Sequence, residues 1–299
     1  MDSIVTYVCL FGIICAIFTM ILNVNLVFRV VLNKAKRVDE MILFYYRFVI
    51  DIFYGFTLFI YILYVLVEIN WPQYNINHRY LTVYLALPCT NVSAGRSIIS
   101  LAIAAERVFA TYFPMKYRLI KANFPNLTIL ILSIAFGLSE WPVLMVICNY
   151  QVAIPPGCRL FGCSINKCFY NFWTGHKIII FSIILVLTMI LSVKLFIWNK
   201  KKKDQKLSRA NRLALLDAAT VFIFDFLPSF CGNLWPTFPL FNFNYVGPYN
   251  GVGKGIGCAI ESTVVSSVLL KSRNKVAASG KSSVRISECA KTRSVRTMT

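Results

Sequence analysis

The run MILFYYRFVIDIFYGFTLFIYILYVLVEI, residues 41–69, decides the fold. At a helical rise of about 1.5 Å per residue it is long enough to cross the roughly 30 Å hydrocarbon core of a bilayer. Backbone polar groups find no water in that core, so a run of this kind spans as a helix. Comparable stretches recur outward from it, at Ile4–Leu32, Leu81–Thr111, Leu127–Cys148, Lys177–Trp198, Leu213–Trp235 and Tyr245–Leu270. The third is diluted by Pro88, Asn91, Ser93 and Arg96, and the seventh by Gly251, Gly253, Gly255 and Gly257. Both still read as spans, because glycine and polar groups are tolerated inside a bundle. The expected architecture is all-α and polytopic: a bundle of seven transmembrane helices over residues 1–270, then a basic Ser/Thr-rich tail over 271–299. That tail is expected to be cytoplasmic and disordered.

Composition agrees with this reading and excludes others. Hydrophobic residues make up 58% of the 299 and charged ones 14%, outside the range of a soluble globule. A net charge of +19 would suggest nucleic-acid binding in a soluble protein. Here the basic residues sit between apolar runs, where they hold a loop on the cytoplasmic side, so no nucleic-acid partner is expected. Threading the spans in order puts Lys34, Lys36, Arg37, Lys116, Arg118, Lys121, Lys200–Lys203, Lys206, Arg209, Arg212 and the tail on one side. The other side holds only Arg79, Arg159 and Lys167. The N-terminus is therefore expected outside and the C-terminus in the cytoplasm. Asp2, the lack of early Lys or Arg and the length of the first run argue against a cleaved signal peptide. Without a soluble ectodomain, a ligand is expected to be met by short loops or by a cavity between helices.

The longest outer loop, about Asn149–His176, carries Cys158, Cys163 and Cys168, with Cys148 at its entry. On the oxidising side these four are disulfide candidates, and they allow three pairings. Neither sequon, Asn91-Val92-Ser93 inside a span or Asn126-Leu127-Thr128 at a cytoplasmic entry, is expected to be glycosylated. No metal site, cofactor or enzymatic centre is expected, since His78 and His176 lie near outer boundaries without ligand partners at useful spacing.

An ionisable group inside a span is costly unless paired or hydrated, which makes each one a functional candidate. Counted from the cytoplasmic ends, Asn23, Asp51 and Glu261 lie at a common depth of roughly 14 to 15 Å, and they could form either a polar switch or a static cluster. Arg47, one turn before Asp51, is placed to neutralise it. Asp217 is a candidate holder for Arg107, and Pro228 should kink the sixth span. Higher in the bundle, Arg96, Glu140 and Asp225 lie at the depth of Tyr84, Trp141, Phe230 and Trp235. Arg96 could meet a ligand carboxylate or pair with Asp225; the group as a whole is the candidate ligand site.

At the end of the third span Glu106-Arg107-Val108 precedes a basic loop with Phe113-Pro114 and Tyr117. This element resembles the acidic-Arg-aromatic motif of rhodopsin-like receptors, in which neighbouring carboxylates hold the Arg until activation turns it toward the G protein. Three segments carry a closer resemblance: Ala104-Ala105-Glu106-Arg107-Val108-Phe109-Ala110-Thr111-Tyr112-Phe113-Pro114, Asn166-Lys167-Cys168-Phe169-Tyr170-Asn171-Phe172-Trp173-Thr174, and Asn211-Arg212-Leu213-Ala214-Leu215-Leu216-Asp217. They are similar to the nematode chemosensory serpentine receptors, most of all class BC, across most of residues 1–274. The resemblance implies a receptor for small environmental molecules on the plasma membrane of sensory neurons, coupled to a heterotrimeric G protein.

Two departures from the rhodopsin-like pattern stand out. The seventh span runs Cys258-Ala259-Ile260-Glu261-Ser262-Thr263 where an Asn-Pro-x-x-Tyr element would stand. Cys89 lies too deep in span three to reach the outer loop, so local pairing within that loop is expected. The competing readings are a transporter, which should show related halves, and a channel subunit of the insect-odorant-receptor type, which should have the opposite orientation.

Overall fold

A computed structural model describes residues 2–31, 41–71, 73, 78–123, 126–152, 154–155, 158–201, 209–235, 238 and 246–267. The basic residues at 34–37 and 202–206 and the tail 271–299 lie outside the described residues. The chain divides into two compact units, 1–262 and 263–299. The first holds the bundle; the described residues of the second, 263–267, are helical.

Seven long helical segments build the first unit. They are α1 (Asp2–Leu26, running into a π turn at Val27–Val31), α2 (Ile42–Asn70), α3 (Leu81–Tyr112), and α4 (Asn126–Leu138, continued by Glu140–Pro142 and a π turn at Val143–Ile147). The remaining three are α5 (Lys167–Lys201), α6 (Arg209–Val221, a π turn at Phe222–Phe226, then Leu227–Leu234) and α7 (residues 249–262). No strand occurs among the described residues. Five of these segments are long and apolar enough to cross a membrane on length and composition alone. The other two fall short because α3 is diluted by Pro88, Asn91, Ser93 and Arg96, and α7 by Gly251, Gly253, Gly255 and Gly257 together with Lys254 and Glu261. A short helix, Pro114–Asn123, comes after α3, and a single turn, Phe161–Ser164, sits in the loop between α4 and α5.

α3 is the hub, packing against α2, α4, α5 and α6. Its buried side includes Ala86, Ala94, Gly95, Ser97, Ser100 and Ala104, small residues that let neighbouring helices approach closely. A methyl group at Gly95 would sit 2.9 Å from the Ser133 carbonyl of α4, and one at Gly137 would collide with the Asn91 carbonyl. Ser133 Oγ closes the same contact by donating to Gly95 O at 2.7 Å.

One boundary differs from the sequence expectation by far more than the others. α5 begins at Lys167 instead of Lys177, nearly three turns earlier. Asn166 sets that start: its Oδ1 accepts from the Phe169 backbone N–H at 3.0 Å, as an N-cap does. Its Nδ2 donates to Cys148 O at 2.8 Å, and the Cys148–Cys168 disulfide ties the end of α4 to the first turn of α5. The polar spelling Asn-Lys-Cys thus marks a helix cap where the composition suggests a loop.

Candidate functional site

The loop between α4 and α5 folds over one end of the bundle. Cys158–Cys163 closes a small ring around Leu160, Phe161 and Gly162. Leu160 and Phe161 are buried, the Phe161 N–H donates to Tyr61 Oη at 3.2 Å, and the Phe161 ring meets Trp173 edge-on at 5.7 Å. Both disulfides are local to the loop, and Cys89 is a buried free thiol.

Beneath this cap lies a cavity of about 80 Å³. α2 contributes Tyr54, Leu58 and Tyr61; α3 contributes Cys89, Thr90 and Ser93; α5 contributes Trp173 and Lys177; α6 contributes Asp225 and Ser229; α7 contributes Gly251 and Lys254. The wall is chiefly apolar and aromatic, with a few convergent polar groups, as small-molecule sites tend to be.

From the cavity floor a chain of opposite charges descends through the interior. Lys254 Nζ stands 3.1 Å from Asp225 Oδ1 and donates to Ser93 Oγ at 2.5 Å. Asp225 Oδ2 is 3.5 Å from Arg96 Nη1. Arg96 donates from Nε to Asp51 Oδ1 at 2.6 Å and from Nη2 to Glu261 Oε2 at 3.2 Å. The same Glu261 oxygen accepts from Arg47 Nη2 at 2.7 Å, and Arg47 Nη1 pairs with Asp217. All seven charged side chains are at most 8% exposed. Groups this deep can stay charged only because each finds a counter-charge.

Two local features aim these groups. Pro228 has no N–H, so a regular helix would leave the Phe224 carbonyl unbonded; the π turn Phe222–Phe226 lies directly ahead of it and turns Asp225 into the interior. On α7, Gly253 and Gly257 lie against Phe224, which lets the α7 backbone approach α6 at that turn.

At the far end of α3 a second cluster forms. Glu106 accepts from Lys121 Nζ at 2.6 Å and from Tyr117 Oη, both on the short helix Pro114–Asn123, and its Oε2 lies 3.1 Å from Arg107 Nη2. At Tyr117, burial and then the hydrogen bond to Glu106 push the phenol pKa up. At Lys121, burial acts to lower the pKa, but the bonds to Glu106 and Tyr117 outweigh it and the net shift is upward. Both groups therefore keep their protons.

Several sequence-derived candidates fall elsewhere. Asn23 is buried, and its Nδ2 donates to the Thr19 carbonyl of its own helix at 3.0 Å. Arg47 pairs with Asp217 and Glu261, and Asp51 is held by Arg96. Tyr84, Trp141 and Trp235 are 40%, 42% and 55% exposed on the bundle surface, with Tyr84 and Trp141 packed together there. Phe230 stacks on Phe226, and Glu140 is buried with His176 Nε2 3.6 Å away. Of the expected ligand-site residues only Asp225 lines the cavity, and Arg96 lies in the charge chain below it. Lys177 and Lys254 are additions that the sequence reading misses. The signal for Lys254 is a cation within the seventh span, hidden among its glycines.

Residues 1–273 match the family described as serpentine type 7TM GPCR chemoreceptor Srbc. No curated protein matches the chain.

Proposed function

Because the chain belongs to the serpentine type 7TM GPCR chemoreceptor family Srbc, we propose that it binds a small environmental molecule in the capped cavity and signals to a heterotrimeric G protein at the Glu106–Arg107 end of the bundle. The family is one of multi-pass membrane receptors, not of enzymes. The proposed setting is the plasma membrane of sensory neurons, with the N-terminus outside and the basic loops toward the cytosol.

One observation carries the reading. An uninterrupted run of ion pairs joins the cavity to the opposite half of the bundle: Lys254, Asp225, Arg96, Glu261, Arg47, Asp217. Asp225 and Asp217 sit toward the two ends of this run, and both belong to α6. A ligand that competes for Lys254 or displaces Asp225 weakens the upper pairing. Arg96 then redistributes toward Asp51 and Glu261, which changes the partner set available to Arg47 and so to Asp217 at the other end of α6. A buried charge left unpaired costs several kcal/mol, enough to favour one of two helix packings.

The test is expression of the full chain with a promiscuous G protein and a screen of volatile and water-soluble small molecules. A ligand-evoked response should appear and should be lost in Ser229→Trp, which fills the cavity, with surface expression retained. Responses unaffected by Ser229→Trp would remove the cavity from the reading, and a ligand-evoked current persisting without any G protein would favour a channel.

A further inference from the structure

Three cations stand at or beside the cavity, and their partners differ. Arg96 is saturated by Asp51, Asp225 and Glu261. Lys254 has Asp225 and Ser93. Lys177 has neither a carboxylate within ion-pair distance nor a hydrogen-bond acceptor among the described residues; its nitrogen rests 3.8 Å over the Trp173 ring. A cation on an aromatic face is stabilised by about 0.5–2 kcal/mol, well short of what a carboxylate partner offers a desolvated ammonium. Glu140 of α4 acts on Lys177 only through space, from beyond ion-pair distance, and it is not among the cavity-lining residues; its neighbour is His176 Nε2 at 3.6 Å.

The cavity wall therefore bears two ammonium groups, Lys177 from α5 and Lys254 from α7, against one carboxylate, Asp225. Asp225 is shared further with Arg96, so it cannot serve both lysines. The remaining wall is set for an apolar body: Tyr54, Leu58, Tyr61, Phe161 and Trp173. An occupant that completes this site supplies one negative charge at the Lys177 side and an apolar or aromatic body for the rest.

Resting on the cavity reading above, we infer that the ligand is a small monoanionic acid with an apolar body, whose carboxylate lies against Lys177 within reach of Lys254. Neutral compounds of the same shape fill the cavity but leave the Lys177 ammonium desolvated without a partner, which costs them affinity. Amines add a third positive charge and are excluded. Binding at Lys177 also draws Lys254 toward the new anion and loosens it from Asp225, which is the top of the ion-pair run.

The inference is tested on the full chain purified into lipid nanodiscs. Matched probes are offered: straight-chain acids from propionate to decanoate, benzoate and phenylacetate, each alongside its methyl ester, alcohol and amine. The readout is thermal stabilisation across a concentration series. At least one acid should raise the melting temperature at concentrations where its ester, alcohol and amine do not. Lys177→Gln should weaken that acid roughly thirtyfold or more, and Lys177→Arg should retain it. An ester, alcohol or amine that matches the acid, an acid effect unchanged in Lys177→Gln, or no stabilisation by any acid in the series overturns the inference. Neutral or basic probes that stabilise the wild-type chain but not Ser229→Trp would sink the acid assignment alone, leaving the cavity as a ligand site.

Discussion

Arg96 of α3 and Asp51 of α2 are joined at 2.6 Å through Nε, and both are at most 3% exposed. The pair is the centre of a set of three cations, Arg47, Arg96 and Lys254, facing four carboxylates, Asp51, Asp217, Asp225 and Glu261. With carboxylates already in excess, loss of a cation is worse than loss of an anion. Arg96→Met strands Asp51 and takes one of two cationic partners from Asp225 and from Glu261, and should destabilise the bundle by about 3–5 kcal/mol. Asp51→Asn keeps an acceptor for Arg96 and should cost clearly less. Melting temperatures of the purified chains, with surface labelling in cells, check the order; equal losses would contradict it.

Glu106 holds Arg107, Lys121 and Tyr117 together, so Glu106→Gln should loosen this cluster by removing its shared carboxylate and raise ligand-independent signalling. The pH dependence comes from Lys121. Its pKa in the folded chain is raised above the ordinary 10.5, since the bonds to Glu106 and Tyr117 outweigh burial. A raised cationic group contributes stability that is fully present below its unfolded pKa and is lost only as pH climbs through the folded one. Basal signalling of the unaltered receptor, read in a second-messenger assay, should therefore not respond to cytosolic pH across the neutral range through this cluster. A rise in basal activity near neutrality that Glu106→Gln abolishes would contradict the arrangement.

The α3–α4 seam tolerates no added volume. At Gly137 even a methyl group collides with the Asn91 carbonyl, a backbone atom that cannot turn aside. Gly137→Ala should therefore lower surface expression and melting temperature, by about 1–3 kcal/mol as overpacking does. Gly175→Ala on α5 is the control, because nothing lies within 4 Å of the added carbon. Equal behaviour of the two variants would show that the seam is looser than described.

The two disulfides should separate in their effects. Cys148–Cys168 spans 20 residues of sequence and joins α4 to α5, so its loss should cost about 3 kcal/mol of stability. Cys158–Cys163 spans 5 and is worth about 2 kcal/mol on the same account, but its ring carries Leu160 and Phe161 over the cavity. Cys158→Ser with Cys163→Ser should shift ligand potency more than melting temperature, and Cys148→Ser with Cys168→Ser the reverse. Dose–response curves and thermal melts on the same preparations decide it.

The apolar runs, the diluted character of α3 and α7, and the deep placement of Arg96, Asp51 and Glu261 are legible from the sequence, because burial of backbone in lipid leaves few alternatives. Pairing is not. Depth along a helix comes from counting residues, but the direction a side chain takes around the helix depends on neighbours, and Arg47 reaches Asp217 and Glu261 across the bundle while Arg96 takes Asp51. The π turns at Val143–Ile147 and Phe222–Phe226 add to the difficulty, since each shifts the register of the residues beyond it by about one position. Depth and chemistry alone put Trp141, Trp235 and Tyr84 near the ligand site, yet they face outward. Lys177 reads as a boundary residue unless Asn166 is taken as the cap that starts the helix.

The π turn of α6 offers the most direct check on the link between the cavity and the Asp217 end of α6. Pro228 is the reason the turn persists: restoring an N–H at that position gives the Phe224 carbonyl a regular partner and lets the helix rewind. Rewinding by one residue rotates Asp225 by about 100°, away from Lys254 and Arg96, while Asp217, earlier on α6, keeps its place. Pro228→Ala should thus leave the Arg47–Asp217 pair intact and weaken ligand-evoked signalling several-fold, without a matching fall in surface expression. Asp225→Asn should do the same, because it removes the same charge from the run without moving the helix. In the double variant the two losses should not add, since either change alone already uncouples Lys254 from Arg96. Additive losses would mean that the proline and the carboxylate act on signalling separately, and that the run of ion pairs is not the connection between the two ends of α6.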